Sequence, residues 1–271
     1  MPELPEVETT RRGLLPHVVG RTIREVIVRN PRLRWPVPRD LAARLRDVEI
    51  LAIRRKGKYL LFDCAQGHLL VHLGMSGRLT LVPADRPPQT HDHIDLRFEG
   101  NQALRLTDPR RFGAMLWLKS PAERHALLAG LGLEPLEPEF TGAALAQRAR
   151  GRQVAVKQFL MNGRIVTGVG NIYASEALFH AGIHPTRAAG RISGERWDRL
   201  ATSVRETLNR ALRAGGTTLR DYASADGQAG GFQFEVAVYD RAGEPCRSCG
   251  TLIKTMRQGA RATYYCPACQ H

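Results

Sequence analysis

Two pairs of cysteines late in the sequence have the spacing of a metal site. Cys246 and Cys249 form one Cys-x2-Cys turn, and Cys266 and Cys269 form a second after a gap of sixteen residues. Two such turns can present four thiolates to one tetrahedral ion, which closes its coordination shell. The pattern predicts one structural Zn²⁺ with no vacant position for water. No catalytic metal is expected, and the fifth cysteine, Cys64, is expected to be a buried bystander in an apolar strand.

The second residue of the sequence has the chemistry of a nucleophile. Methionine aminopeptidase removes Met before a small residue, so the opening MPELPE predicts that Pro2 carries a free secondary amine. A terminal amine has a pKa of about 8 against about 10.4 for lysine, so it is the better nucleophile at neutral pH. If it attacks C1′ of a deoxyribose, the resulting iminium acidifies the C2′ proton. This permits β-elimination of the 3′ phosphate.

Two acids follow the expected nucleophile. Glu3 is placed to protonate the sugar ring oxygen. Glu6, one helical turn further on, can hold the terminus or satisfy backbone donors. The same residues would also suit an ordinary first helical turn, where acids are favoured by the helix dipole.

The charge of the chain points to a polyanionic partner. Its 271 residues include 40 Lys and Arg against 26 Asp and Glu, a formal net charge of +14. This balance is typical of nucleic-acid binding, although a solvated basic surface or a ribosome-associated protein would share it. No run approaches the roughly 18 apolar residues of a membrane span, and the N-terminus is acidic rather than basic. We therefore expect a cytoplasmic protein with no membrane partner, and nothing in the sequence demands an oligomer, so a monomer is expected.

The elements that must position these groups change along the chain. Residues 3–15 have a helical pattern, and residues 21–118 contain alternating β-branched runs such as 23–28, 48–53, 59–62 and 69–73, which predict an antiparallel sandwich. Residues 132–140 hold two prolines and three acids and suggest a linker. Helical patterns follow at 141–149, 153–161, 171–181 and 193–214. We predict an α+β protein with a β domain at 1–131, a linker at 132–140, a helical domain at 141–235 and a zinc ribbon at 236–271.

Taken together, these stretches resemble bacterial formamidopyrimidine-DNA glycosylase over essentially the whole chain. The matching segments are PELPEVET (2–9), RKGKYL (55–60), HLGMSG (72–77), HDH (91–93), DPRRFG (108–113), GVGNIYASE (168–176), GIHP (182–185) and the four cysteines. The resemblance implies an N-terminal β-sandwich with a terminal helix, a helix-two-turn-helix domain and a β-hairpin zinc ribbon. It also implies a bacterial enzyme, nucleoid-associated when bound to DNA.

The resemblance implies a bifunctional enzyme that removes oxidised purines (8-oxoguanine, formamidopyrimidines) from damaged double-stranded DNA and then cuts the strand by β,δ-elimination. Pro2 is similar to the Schiff-base nucleophile and Glu3 to the proton donor. Lys58 resembles the β-elimination lysine, which also touches phosphate. Arg261 resembles the ribbon-tip arginine of δ-elimination.

Further positions resemble residues that bind DNA. Met75, Arg110 and Phe112 resemble the triad that fills the gap left by an extruded base, with Arg110 facing the orphaned cytosine. Asn171 is the first residue of a helix after a glycine-rich turn, where it can bind phosphate or simply cap the helix. Four more positions resemble backbone-contacting residues: His72, His91, Arg152 and Lys157. His91 and His93 share one strand face, which suits a metal or, more simply, a polar face.

Other functions remain open on the sequence. An endonuclease VIII type enzyme shares the proline amine but prefers oxidised pyrimidines. A non-catalytic zinc-ribbon protein that binds DNA would keep the basic surface, the helices and the cysteines. Residues 227–232 read GQAGGF, where the family usually has a Gly-Lys-Pro-Gly-Tyr-Phe type of loop that caps the flipped base. This departure leaves the lesion preference open.

Overall fold

The computed structural model describes residues 2–216, 231–232 and 235–271. Its contacts divide the chain into two compact units. The first comprises Met1–Ala129 with Leu212–Gln233, and the second comprises Gly130–Ala211 with Phe234–His271. Within the described ranges, none of the helices is both long and apolar enough to span a bilayer.

The described residues of the first unit form two antiparallel sheets and two α-helices, α1 (Leu4–Val18) and the short α2 (Leu41–Leu45). The strands are β1 (Thr22–Val28), β2 (Val48–Glu49), β3 (Ala52–Lys56), β4 (Tyr59–Cys64), β5 (Gly67–His72), β6 (Arg78–Pro83), β7 (Asp92–Phe98), β8 (Gln102–Thr107) and β9 (Ala114–Leu118). The sheets have the orders β2-β1-β7-β8-β6 and β3-β4-β5-β9. One apolar core draws on α1 and on both sheets, which confirms the predicted antiparallel β architecture.

The run at 48–53, predicted as one strand, is divided between the sheets. β2 pairs with β1 in the five-stranded sheet, whereas β3 pairs with β4 in the four-stranded sheet. The chain crosses between them at Ile50, which is fully buried, and Leu51, which is 51% exposed. A continuous β-branched run does not reveal such a crossing, because both halves have strand propensity. Helix α1 also extends three residues beyond its predicted end, and α2 was not predicted.

Among its described residues, the second unit has four α-helices and a hairpin. The helices are α3 (Gly142–Ala149), α4 (Val156–Leu160), α5 (Asn171–His180) and α6 (Gly194–Arg213), and the hairpin strands are β10 (Lys254–Gln258) and β11 (Arg261–Tyr265). The hydroxyl of Thr141 caps α3 by accepting from the amide of Ala144 at 3.1 Å. α4 is only five residues long, shorter than the predicted 153–161.

Residues 132–140, expected as a linker, pack within the second unit. Leu133 forms a parallel bridge with Val166. Phe140 is fully buried, and its carbonyl accepts from the guanidinium of Arg205 at 2.8 Å. Despite its prolines and acids, this segment therefore packs against the rest of the second unit.

Candidate active site and DNA-binding residues

The start of α1 places the expected nucleophile and its two acids together. Pro2 is buried and immediately precedes Glu3, the N-cap residue, which is 2% exposed. Glu6 is 3% exposed, and its carboxylate accepts from the backbone amide of Glu3 at 2.8 Å in a capping box. This arrangement satisfies an otherwise orphaned helix donor and fixes the direction of the chain at Pro2.

A glycine that the sequence analysis did not single out packs against Glu6. Gly216 has φ +84°, in the left-handed region, and a Cβ added there would lie 3.2 Å from Oε1 of Glu6. Both the backbone conformation and the close approach favour glycine. The only signal in the sequence is the Gly215–Gly216 pair directly after a helical pattern.

The turn that carries Lys58 is tied to α1 through Arg55. Lys58 is half-buried between β3 and β4 and follows Gly57, whose φ is +56°. The guanidinium of Arg55 donates to the carbonyl of Gly57 at 3.0 Å and to the carboxylate of Glu8 at 3.2 Å. The lysine turn and the helix that follows Pro2 are thus held by one arginine.

Glu8 is the acid at the centre of this junction. Its side chain is 8% exposed and also accepts from Arg11 and Arg12, each at 2.8 Å. Burial by itself would raise the pKa of Glu8, but these charged donors and the nearby Arg55 lower it to about 2. The carboxylate is therefore ionised throughout the physiological range.

His72 lies at the end of β5, close to Lys58. Burial, reinforced by the positive charges of Lys58 and Arg34, lowers the pKa of His72 to about 4, although a hydrogen bond with the backbone of Phe112 acts in the opposite direction. The amide of Gly74 lies 3.2 Å from its Nδ1. With Nδ1 accepting, the neutral imidazole carries its proton on Nε2.

Asp108 joins three of the expected DNA-binding segments. Its carboxylate is fully buried and accepts from the hydroxyl of Ser76 at 3.3 Å and from the amide of Gly113 at 2.8 Å. Its amide donates to the carbonyl of His91 at 3.0 Å, and its carbonyl lies 2.9 Å from Nε2 of His93. His93 is therefore part of a buried polar contact, while His91 is exposed.

The triad of Met75, Arg110 and Phe112 lies on the two loops that Asp108 joins. Met75 is half-buried, Arg110 is exposed and Phe112 is 40% exposed. The guanidinium carbon of Arg110 is 5.0 Å from the centroid of the Phe112 ring. Gly74, with φ +65°, lies so close to the second loop that an added Cβ would be 2.5 Å from the carbonyl carbon of Phe112. The loops are therefore in direct backbone contact.

In the second unit, two helices hold the tip of the β10–β11 hairpin. Lys157 is 1% exposed, and its ammonium donates to the carbonyl of Ala262 at 3.1 Å and the hydroxyl of Thr263 at 2.8 Å. The side-chain amide of Asn171 donates to the same Ala262 carbonyl at 3.0 Å. Arg261, the residue before, is exposed. Lys157 and Asn171 thus fix the backbone that presents Arg261.

Arg152 is exposed, and its guanidinium donates to the carbonyl of Arg148 at the end of α3 at 2.7 Å.

Cys64 is buried, at 7% exposure, and burial together with the charge of Asp63 raises the pKa of its thiol to about 11. Of the atypical segment, residues 227–230 lie outside the described residues, and Phe232 is fully buried.

The four cysteine sulfurs converge to form a metal site. The Sγ atoms of Cys246, Cys249, Cys266 and Cys269 all lie within 4.8 Å of one another. The separations are 3.9 Å from Cys246 to Cys269 and 3.5 Å from Cys249 to Cys266. A tetrahedral zinc with bonds of about 2.3 Å requires sulfurs about 3.8 Å apart, so this set fits one structural Zn²⁺.

A buried acid on α5 docks the chain that leads into the ribbon. The carboxylate of Glu176 accepts from three consecutive amides, those of Ala237, Val238 and Tyr239, at 2.7, 3.0 and 2.8 Å. Burial raises the pKa of Glu176, and the three amides counteract this. α5 therefore contacts the ribbon through Glu176 as well as through Asn171.

Three family models match the chain in this order along the sequence. Residues 1–115 match the formamidopyrimidine-DNA glycosylase N-terminal domain, residues 131–223 the formamidopyrimidine-DNA glycosylase H2TH domain, and residues 243–271 the zinc finger found in FPG and IleRS. Fold and sites together define a zinc-containing DNA glycosylase architecture.

Individual proteins agree with the family models. A formamidopyrimidine-DNA glycosylase of Methylococcus capsulatus is 56% identical over 270 residues, covering 100% of both chains. The crystal structure of the MutM (Fpg) protein of Thermus thermophilus is 40% identical with a TM-score of 0.89, covering 99% of this chain and 98% of that one. Lactococcus lactis Fpg in complex with Fapy-dG containing DNA is 32% identical with a TM-score of 0.91, covering 99% and 100%. The chain belongs to the formamidopyrimidine-DNA glycosylase family.

Proposed function

We propose that this chain excises oxidised purines from duplex DNA and cuts the strand at the resulting abasic site, with the amine of Pro2 as nucleophile. The observation that carries the proposal is the burial of Pro2, Glu3 and Glu6 together at the head of α1. The named relatives support the glycosylase activity, and the net charge of +14 supports a DNA partner. The proposed place of action is the cytoplasm, on the nucleoid while DNA is bound.

The chemistry follows from an amine at a helix N-terminus. Once Met1 is removed, the amine of Pro2 lies directly before the N-cap residue Glu3. The nitrogen bonds to C1′ as the glycosidic bond breaks and the base leaves with a proton. Glu3 then protonates the ring oxygen as the C1′–O bond opens, which leaves a cationic iminium. Loss of the C2′ proton expels the 3′ phosphate.

Two further cations serve the elimination steps. Lys58 is the donor for β-elimination and binds phosphate together with His72. Arg261 is the donor for δ-elimination, and Asn171 shares its phosphate. Lys157 contributes to DNA binding by fixing the hairpin, since its ammonium already donates to Ala262 and Thr263.

The wedge residues compensate for the extruded base. Met75 enters the vacated space, Phe112 separates a base step and Arg110 donates to the orphaned cytosine. His91 and Arg152 contact the DNA backbone. Because Arg110 reads the opposite base, Arg110→Ala is expected to relax opposite-base discrimination while lyase action on preformed abasic sites is retained; equal losses in both assays would contradict this role.

Borohydride trapping tests the nucleophile directly. A protein whose N-terminus has been confirmed by mass spectrometry is mixed with an 8-oxoguanine:C duplex and borohydride, and a covalent adduct is expected. The matched control is the same protein with its terminal amine acetylated, which should give none. Adduct formation or strand cleavage that is equal in both samples would overturn the proposal, and absence of an adduct in the unmodified protein would favour a non-catalytic binder.

A second assay decides the class of lesion. Excision is compared between 8-oxoguanine:C and thymine glycol:A duplexes at equal enzyme concentration. Faster release of the purine is expected. Preference for thymine glycol would instead assign the chain the substrate class of endonuclease VIII type enzymes.

A further inference from the structure

A basic groove lies beside the wedge residue Phe112 in the first unit. Its volume is about 550 Å³, and it is lined by Arg32, Leu33, Arg34, Arg110, Arg111 and Phe112. Four of these six residues are arginines, and the described lining contains no acid. Three of them, Arg32, Arg34 and Arg111, have no part in the function proposed above.

Some exposed arginines of the first unit are held by counter-charges. Arg24 pairs with Asp47 at 2.7 Å, and Arg44 pairs with Asp40 at 2.6 Å. Within the described ranges, by contrast, no carboxylate forms an ion pair with any of the four groove arginines. Like charges gathered without counter-charges repel one another, and an anion bound among them would relieve that repulsion.

Two of the guanidinium groups are stacked on aromatic rings. The guanidinium carbon of Arg34 is 4.9 Å from the ring centroid of Trp35, and that of Arg110 is 5.0 Å from the ring centroid of Phe112. Stacking covers the flat face of a guanidinium and leaves its N–H edge for oxygen atoms. Such a group loses less conformational entropy when it binds a phosphate.

The backbone around Arg111 is fixed as well. Its φ is +56°, which is uncommon for a residue other than glycine, and its amide donates to the carbonyl of Asp108 at 3.1 Å. Trp35, on which the Arg34 guanidinium stacks, lies with its ring centroid 6.2 Å from that of His72. The groove therefore lies beside the phosphate-binding residues proposed around Lys58.

We propose that this groove binds a backbone phosphate of the DNA strand opposite the damaged base, with Arg34 as the principal donor and Arg32 and Arg111 in support. The inference rests on the proposed function, because the assignment to the opposite strand follows from the role of Arg110 toward the opposite base. Phosphate contacts of this kind position a duplex without reading its sequence.

The salt dependence of binding tests the groove. Dissociation constants for a duplex with a tetrahydrofuran abasic analogue are measured from low to high salt for wild type, Arg34→Gln and Arg32→Gln. Each lost phosphate contact should reduce the slope of log K against log salt by about 0.9. Arg46→Gln is the matched control, since Arg46 is exposed at the end of α2 and outside the groove. Unchanged slopes in both groove variants would overturn the proposal.

Uncharged analogues of single backbone phosphates identify which DNA strand the groove binds. Single methylphosphonates are placed in turn on the opposite strand and on the lesion strand. One position on the opposite strand should weaken wild-type binding yet have no further effect on Arg34→Gln, because the contact is already lost. If the methylphosphonate that weakens wild-type binding but not binding by Arg34→Gln lies on the lesion strand, the assignment to the opposite strand is wrong. These assays measure binding alone, so a wild type that binds but gives no borohydride adduct would overturn the proposed function and not the groove.

Discussion

The buried carboxylate of Asp108 accepts a hydrogen bond from the hydroxyl of Ser76 at 3.3 Å. Because the same carboxylate accepts from the amide of Gly113, it anchors the loop that carries Met75 and the loop that carries Phe112. The Ser76 hydroxyl also lies 3.3 Å from the amide of Arg110. The three side chains proposed to fill the gap in the duplex therefore depend on one fully buried acid.

Asp108→Ala is expected to separate these loops. The change leaves a buried hydroxyl and a buried amide without their acceptor, which costs about 1–3 kcal/mol of unfolding free energy for each group. Excision of 8-oxoguanine should fall more than lyase action on a preformed abasic site, since only excision requires a base to be extruded. Ser76→Ala, which removes one of the bonds, should lie between wild type and Asp108→Ala. Equal losses in both assays would refute the positioning role.

Glu8→Gln is expected to destabilise the first unit in a pH-dependent way. The folded-state pKa of Glu8 is lowered from 4.5 to about 2, so its stabilisation is fully present above about pH 4.5 and is lost as the pH falls toward 2. The difference in unfolding free energy between wild type and variant should be roughly 3 kcal/mol at pH 7 and shrink across that window. Urea unfolding at several pH values measures it.

The control for Glu8 is Glu25→Gln. Glu25 also pairs with an arginine, Arg97, at 2.9 Å, but its side chain is 51% exposed. An exposed pair contributes about 0–1 kcal/mol, so this variant should show little change. A Glu8 difference that stays constant down to pH 2 would contradict the assigned ionisation.

Gly216→Ala is expected to slow formation of the borohydride adduct, because the new Cβ presses on Glu6 and through it on the amide of Glu3. Gly20→Ala is a matched control: its φ is +78° and nothing lies within 4 Å of its added Cβ. Both variants should lose about 1 kcal/mol of stability from backbone strain. Single-turnover trapping that is slowed equally in both would show that strain, and not contact with Glu6, is responsible.

Lys157→Met separates a positioning role from a direct phosphate contact. The side chain keeps its length but loses the bonds to Ala262 and Thr263, so stability should fall by about 1.5–3 kcal/mol. Weaker DNA binding is expected with the salt slope unchanged, whereas Arg152→Gln, at an exposed position, should reduce the slope by about 1. A reduced slope for Lys157→Met would place its ammonium at a phosphate instead.

Several features could be predicted from local sequence spacing, because residues that are close along the chain determine them. Two Cys-x2-Cys turns bring four sulfurs together once a hairpin forms, and Pro2 adjoins Glu3 whatever the fold. Helices α3, α5 and α6 were predicted to within about one residue at each end. α3 begins after the cap Thr141, α5 follows a glycine-rich turn, and α6 has a long apolar periodicity. The antiparallel class followed from alternation in the same way.

The tertiary structure alone decided which distant residues meet. Ser76 and Asp108 are 32 residues apart in sequence, and Lys157 reaches Ala262 across 105. Local periodicity predicts neither pairing, because each results from strand order and helix packing over the whole unit. For the same reason, the sequence did not predict the change of sheet at Ile50 or the contact of Gly216 with Glu6. The sequence determined which chemical groups are available, and long-range packing determined which of them are held together.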